Sequence, residues 1–244
     1  MEPQPLTTFM GINKTIKIID LGFMSYSESL EKQETYFDEI IALKRLNRNK
    51  ANPEPTHNYL LWVEHPPVFT LGKSGKMEHL LVGKEALAEK GIEFFQTNRG
   101  GDITFHGPGQ LVAYPIFDLD NFFTDIHKYL RFLEEAVILT LKEYGLHATR
   151  SQGETGVWLE VGTPFARKIC AMGVRASRWV TMHGLALNVT TDLSYFDHIV
   201  PCGIQGKGVT SLSKEVGREI SLEEVKEKLK IHLGNLFEAN WVGA

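Results

Sequence analysis

The hydrophobic positions of this chain change period several times, and each change marks an element. Thr15 to Asp20 reads as a short strand. After it Tyr26, Leu30, Phe37, Ile40, Ile41 and Leu46 recur at near-helical spacing and predict a long amphipathic helix. Asn47 to His57, with Pro53 and Pro55, is polar and breaks regular structure, so it reads as a loop and not as a linker between domains. Tyr59 to Val63 and Val68 to Leu71 read as strands interrupted by Pro66 and Pro67, and Gly72-Lys-Ser-Gly75 closes the second. A short helix over Lys84 to Lys90 ends at Gly91. Glu93 to Asn98 runs extended into a glycine-rich turn, Ile103 to Phe105 is extended, and Leu111 to Phe117 leaves it, which seats the turn on a sheet.

Ile126, Tyr129, Leu130, Leu133, Val137, Leu141 and Tyr144 mark a second long helix, with Thr124 as N-cap and Gly145 as its stop. Extended pieces follow around 157–160, 168–174 and 185–189, then an irregular stretch through Pro201-Cys202-Gly203. A last helix spans about 221–239. It opens with Ser221-Leu-Glu-Glu224, where the hydroxyl caps the first turn and Glu224 reaches back, and its apolar stripe includes Leu222, Val225, Leu229 and Leu233. Long helices among many short strands predict an α+β fold of mixed sheets packed with helices. The 244 residues show no repeat and no shift in composition, so a single domain over 1–244 is expected.

Composition narrows the function. Hydrophobic residues make up 43% and charged residues 23%, the balance of an ordinary globular protein. Lys plus Arg number 26 against 30 Asp plus Glu, and a net charge of -4 gives no bulk reason to bind nucleic acid or an anionic bilayer. An acidic partner would have to meet a local patch, either Lys44 to Lys50 or Arg167-Lys168. No apolar run approaches the roughly 18 to 20 residues that cross a bilayer. Two cysteines and a start without a basic, apolar signal predict a cytoplasmic setting with free thiols.

The candidate chemistry is nucleophilic. Cys202, between a rigid Pro201 and a permissive Gly203, sits where a side chain can stand clear of a sheet. An unperturbed thiol, with a pKa of about 8.5, is a poor nucleophile at neutral pH unless a cation favours the thiolate. Lys168 is the candidate cation. On a regular strand Lys168, Cys170 and Met172 would share one face, so spacing alone leaves Cys170 open as the thiol; the turn beside Cys202 favours Cys202 and leaves Cys170 a core or supporting role. Either cysteine could also be a plain buried hydrophobe.

Arg99-Gly-Gly-Asp-Ile-Thr-Phe-His-Gly-Pro-Gly-Gln110 lets backbone approach a ligand closely and offers the planar Arg99 fork, although a tight β connection would explain the glycines equally well. Its spacing fits neither a P-loop nor a dinucleotide fingerprint. His106 is expected to support this turn, whereas His183 and His198 read as ordinary polar residues. No spacing among the nine histidines points to a metal. Gly184-Leu-Ala-Leu-Asn188 could wall a chain-binding slot or be a buried strand.

These segments together resemble the lipoyl(octanoyl) transferase family. The resemblance begins with Glu64-His-Pro-Pro-Val-Phe-Thr-Leu-Gly72 and Arg99 to Tyr114, and runs through Thr155-Gly-Val-Trp158 and Lys168-Ile-Cys-Ala-Met-Gly173. His183 to Asn188, Pro201-Cys-Gly203 and Val209-Thr-Ser-Leu212 complete it, so it covers about residues 15–215. It implies the catalytic fold shared with biotin and lipoate protein ligases, with no cofactor. The implied reaction moves an octanoyl group from octanoyl-acyl carrier protein to a lysine of lipoyl domains, those of 2-oxoacid dehydrogenases and of the glycine cleavage H protein.

By the same resemblance Cys202 is the thioester nucleophile and Lys168 lowers its pKa. The implied substrate contacts are Arg99, Gly100, Gly101, Asp102, Ile103, Thr104, Phe105 and His106; Ala171, Met172 and Gly173; and Gly184, Leu185 and Ala186. Phe105 stands where many members have tyrosine, and Cys170 where many have alanine. Two rival readings are an ATP-dependent lipoate or biotin ligase, which would need no cysteine, and a noncatalytic binder of acylated carrier proteins, in which Lys168 and Arg99 merely attract an acidic partner.

Overall fold

A computed structural model describes residues 12–200 and 208–243. The chain opens with β1 (Thr15–Phe23) and α1 (Tyr26–Asn47), whose first turn is capped by Ser25 accepting from the Glu28 amide. Strands β2 (Tyr59–Glu64) and β3 (Val68–Leu71), the short helix α2 (Lys84–Glu89) and strands β4 (Glu93–Gln96), β5 (Ile103–His106) and β6 (Gln110–Ile116) follow. Next come α3 (Ile126–Lys142), β7 (Ala148–Ser151), β8 (Glu154–Leu159), β9 (Arg167–Ser177) and β10 (Val180–Asn188). Beyond Gly208 lie β11 (Gly208–Val209), α4 (Leu212–Val216), α5 (Leu222–Phe237) and β12 (Asn240–Val242).

Among the described residues the large sheet runs β12-β1-β2-β6-β10-β9-β8-β7, with β11 added to β9, and a small sheet runs β4-β3-β5. The large sheet is mixed: β1 is parallel to β2 and β12, whereas β2, β6, β10, β9, β8 and β7 pair antiparallel in turn. One cluster, including Leu133, Val137 and Leu141 of α3 and Leu229 and Leu233 of α5, packs with Leu111, Leu185 and Leu187 of the sheet. Another packs Phe37, Ile40 and Ile41 of α1 against Tyr59, Val112 and Ala186. Helices thus cover both faces of β6 and β10, which is why every residue of those two strands is buried and neither shows period-two alternation.

The predicted elements are present, with local differences. The cap of α3 is Asp125, not Thr124: its carboxylate accepts from the Lys128 amide at 3.0 Å, and a charged acceptor suits a helix N-terminus. That helix ends at Lys142, ahead of Gly145. Strands β8, β9 and β10 are longer than their apolar cores, and β7, β11 and β12 were not foreseen. At α5, Ser221 accepts from the Glu224 amide as predicted, while the Glu224 carboxylate pairs with Arg218 at 3.1 Å. Among the described residues no helix is long and apolar enough to cross a membrane.

Candidate active site

The two sheets meet at a cavity of about 650 Å³. Its floor is the β9–β10 ladder, in which Ala171 faces Ala186, Met172 faces Leu185, Gly173 faces Gly184 and Val174 faces His183. The turn from Arg99 crosses this ladder: the Gly100 amide donates to the Val174 carbonyl at 2.9 Å. Small residues make that approach possible. A side-chain carbon at Gly173 would stand 2.6 Å from the Gly100 carbonyl oxygen, and one at Gly184 would overlap the Ala113 carbonyl of the neighbouring strand. Gly101 holds a φ of +86°, a region that L side chains seldom enter.

Of the residues singled out from the sequence, Arg99 to Thr104, His106, Lys168, Ala171 to Gly173 and Gly184 to Ala186 all line this cavity. Phe105 does not. Alternation on β5 turns its ring to the other face, where it stacks on Tyr195 at 4.4 Å between centroids and packs against Phe69. The sequence reading missed Tyr26, Tyr114, Ile126, Leu130 and Gly153 to Thr155, which join the lining from α1, β6, α3, and the β7–β8 turn with the start of β8. Apolar residues on long helices carry no sign that they face a cavity and not the core.

Lys168 enters through an irregularity. The pairing of β8 with β9 passes from Trp158↔Lys168 to Val157↔Cys170, leaving Ile169 as the extra residue of a bulge. The strict alternation that would place Lys168, Cys170 and Met172 on one face is therefore broken. Ile169 and Cys170 belong to the core, while Lys168, 8% exposed, lines the cavity with its Nζ 4.6 Å from the centre of the Trp158 ring. Cys170 is fully buried, and desolvation pushes its thiol well above the ordinary range despite the nearby Lys168 charge. Such a thiol is held protonated and inert.

Arg99 is buried and spends much of its fork on structure. Its NH2 donates to the Thr70 carbonyl at 2.7 Å and to the Thr70 hydroxyl at 2.9 Å, and NH1 donates to the Gly100 carbonyl at 3.0 Å. His106 braces the same turn as predicted, with Nδ1 2.8 Å from the Gln110 side-chain oxygen; burial lowers its pKa to about 3. Asp102 binds His79 Nδ1 at 2.5 Å. The His79 carbonyl in turn accepts from the Val200 amide at 2.8 Å. His183, read from sequence as an ordinary polar residue, lies in the cavity wall.

Cys202 lies outside the described residues. The chain on either side of it is tied to the site: Val200 bonds His79, and β11 runs parallel to β9 with Gly208 beside Arg167 and Val209 beside Lys168. Arg167 grips Glu215 through two contacts of 2.6 Å and so fastens α4 to the same strand. Among the described residues no cluster of His, Cys, Asp and Glu could hold a metal ion.

Residues 28–234 match the family model of the lipoyl protein ligase A/B catalytic domain. The chain belongs to this family. Within the lipoyl protein ligase A/B family it is 64% identical over 229 residues to an octanoyltransferase of Christiangramia forsetii, covering 93% of this chain and 98% of that protein. It is also 64% identical over 232 residues to an octanoyltransferase of Flavobacterium johnsoniae, covering 95% of this chain and 100% of the relative. A solved bi-partite lipoate protein ligase from Thermoplasma acidophilum superposes with a TM-score of 0.68 at 17% identity, covering 96% of this chain and 87% of that one. That likeness bears on the fold: mixed sheets with helices, as the family resemblance implied.

Proposed function

We propose that this chain transfers an octanoyl group from octanoyl-acyl carrier protein to a lysine of a lipoyl domain, with Cys202 holding the acyl group between the two. The observation that carries this reading is the convergence of the Arg99 turn, the 171–173 and 184–186 strand segments and Lys168 on one cavity, in a chain 64% identical to octanoyltransferases. Its apolar stretch, with Val112, Leu130, Met172 and Leu185, suits an alkyl chain, which gains up to about 0.8 kcal/mol for each buried methylene.

In the first step the Cys202 thiolate attacks the donor thioester carbonyl, a new carbon–sulfur bond forms, and the carrier thiol leaves with a proton from Lys168. In the second the acceptor amine attacks the Cys202 thioester, an amide forms, the Cys202 sulfur leaves, and the proton lost by the amine returns to the Lys168 pair. Dividing the transfer lets two bulky carriers visit the cavity in turn. This role for Lys168 is supported by its burial at the cavity and its pairing beside β11, the strand that follows Cys202 in the chain. Purified protein mixed with octanoyl-carrier protein and an unmodified lipoyl domain should yield octanoylated domain without ATP. A requirement for ATP and free octanoate would instead identify a ligase.

A further inference from the structure

A side-chain contact that neither transfer step uses joins the Arg99 turn to the chain leading into Cys202. Asp102 lines the cavity from that turn. Its Oδ2 accepts from His79 Nδ1 at 2.5 Å, a bond between residues 23 apart in sequence, and both side chains are mostly buried. A carboxylate acceptor shielded from water makes this a strong and directional tie. The other oxygen, Oδ1, accepts from the Ile103 amide at 2.7 Å, which fixes the carboxyl group on its own turn. Gly75 leaves the space: a side-chain carbon there would stand 2.8 Å from Asp102 Oδ1.

His79 passes this hold on through the backbone. Its carbonyl accepts from the Val200 amide at 2.8 Å, the Leu81 amide donates to the His198 carbonyl at 2.9 Å, and Leu80 forms an antiparallel bridge with Ile199. Residues 79–81 therefore pair with 198–200, and Val200 stands two positions before Cys202. Leu80 and Ile199 also pack together over the small sheet, a contact that is attractive but sets no direction. The Asp102 bond adds the direction, because it aligns the paired segment against a turn of the cavity wall. The chain that follows Cys202 is held separately: the Gly208 amide donates to the Ala166 carbonyl at 3.0 Å and the Thr210 amide to the Lys168 carbonyl at 2.9 Å.

We propose that His79 is a positioning residue for the acylation step, whose bond to Asp102 sets the chain entering Cys202 against the Arg99 turn and so brings nucleophile and donor thioester into reacting geometry. For its effect on rate the inference rests on the reading that Cys202 carries the acyl group. Loss of the tie lets the 198–200 segment shift, and a displacement of about 1 Å from a reacting arrangement costs up to roughly a hundredfold in rate. Binding of the alkyl chain uses the apolar walls, with Val112, Leu130 and Leu185, which the tie does not touch. The loss therefore falls on kcat and leaves KM close to its original value.

The test turns on which ring nitrogen a variant copies. In asparagine, as at His Nδ1, the nitrogen is bonded to Cγ, so His79→Asn keeps an N–H for Asp102 and His79→Ala does not. With octanoyl-carrier protein as donor, His79→Ala should lower kcat roughly tenfold to a hundredfold with KM changed less than about threefold, and His79→Asn should recover most of the loss. His79→Gln, whose nitrogen lies one bond further out, serves as the second variant should His79→Ala fold poorly, and should lose kcat likewise. A loss confined to KM, a kcat unchanged in His79→Ala and His79→Gln, or an equal loss in His79→Asn overturns the inference. If the wild type forms no octanoyl adduct, the transfer reading fails instead. Amide hydrogen exchange then decides: the Leu81 and Val200 amides should exchange at least about tenfold faster in His79→Ala and near the wild-type rate in His79→Asn. Unchanged exchange in His79→Ala overturns the proposal.

Discussion

Lys168 stands over the face of Trp158, its Nζ 4.6 Å from the ring centre, and the two residues are direct partners across β8 and β9. The indole attracts the amine and limits where it can point, an effect of about 0.5–2 kcal/mol for a cation over an aromatic face. A lysine so held is aimed at the cavity, not left to sample solvent.

Removing that cation should expose its part in activating the thiol. Lys168→Ala should slow acylation of the protein about tenfold to a hundredfold at neutral pH, as follows from raising a thiol pKa by one to two units. The rate should recover in part as the pH passes the ordinary thiol pKa of about 8.5. Stopped-flow acylation rates against pH are the check. A profile of unchanged shape would contradict the role of Lys168.

Glu134 anchors the far wall. Its carboxylate is fully buried and accepts from Arg131 at 2.6 Å, from Arg150 Nε at 2.9 Å and from the Gly156 amide at 3.0 Å, tying α3 to β8 just beyond the cavity-lining turn 153–155. Glu134→Ala leaves the buried Gly156 amide without its acceptor and removes one partner from each of two partly exposed arginines, and should cost roughly 1–3 kcal/mol of stability. Urea unfolding measures it. A loss well under 1 kcal/mol would show that the network holds nothing.

Acid should weaken the fold through its histidines. Burial lowers the pKa of His65 to about 4 and of His106 and His183 to about 3, against the usual 6.5 of an exposed ring. The unfolded chain binds these protons first. Their contribution is therefore complete above about pH 6.5 and is lost as the pH falls from there toward 4 for His65 and toward 3 for His106 and His183, by about 2 kcal/mol per ring at pH 5. Unfolding free energies at pH 7 and pH 5 should differ steeply, and His65→Gln should flatten the slope by one proton. Equal stability at the two values would contradict the burial of neutral rings.

How much of this was legible follows from where each signal resides. Period and turn chemistry are local, so α1, α5 and the strands around the Arg99 turn could be read directly from the sequence. The length of β10 could not, because a strand covered on both faces loses the alternation that marks its ends. The bulge at Ile169 depends on the register of β8 against β9, a pairing between distant residues, and it decides which of Lys168 and Cys170 meets the cavity. Phe105 was grouped with the substrate contacts by its place in a motif, yet alternation on β5 sends its ring into the small sheet's core. His183 carried no motif of metal or catalysis. Its place in the cavity wall goes with a tether to Asn98, 85 residues away in sequence, which no local pattern shows.

Transfer by the proposed route requires a sulfur that carries the acyl group between donor and acceptor. Intact-mass measurement after mixing the protein with octanoyl-carrier protein tests it most directly. One octanoyl adduct, removed by hydroxylamine, mapped by peptide analysis to Cys202 and missing as a thioester in Cys202→Ser, is the predicted result. An adduct on Cys170, or full transfer to the lipoyl domain by Cys202→Ala, would contradict it.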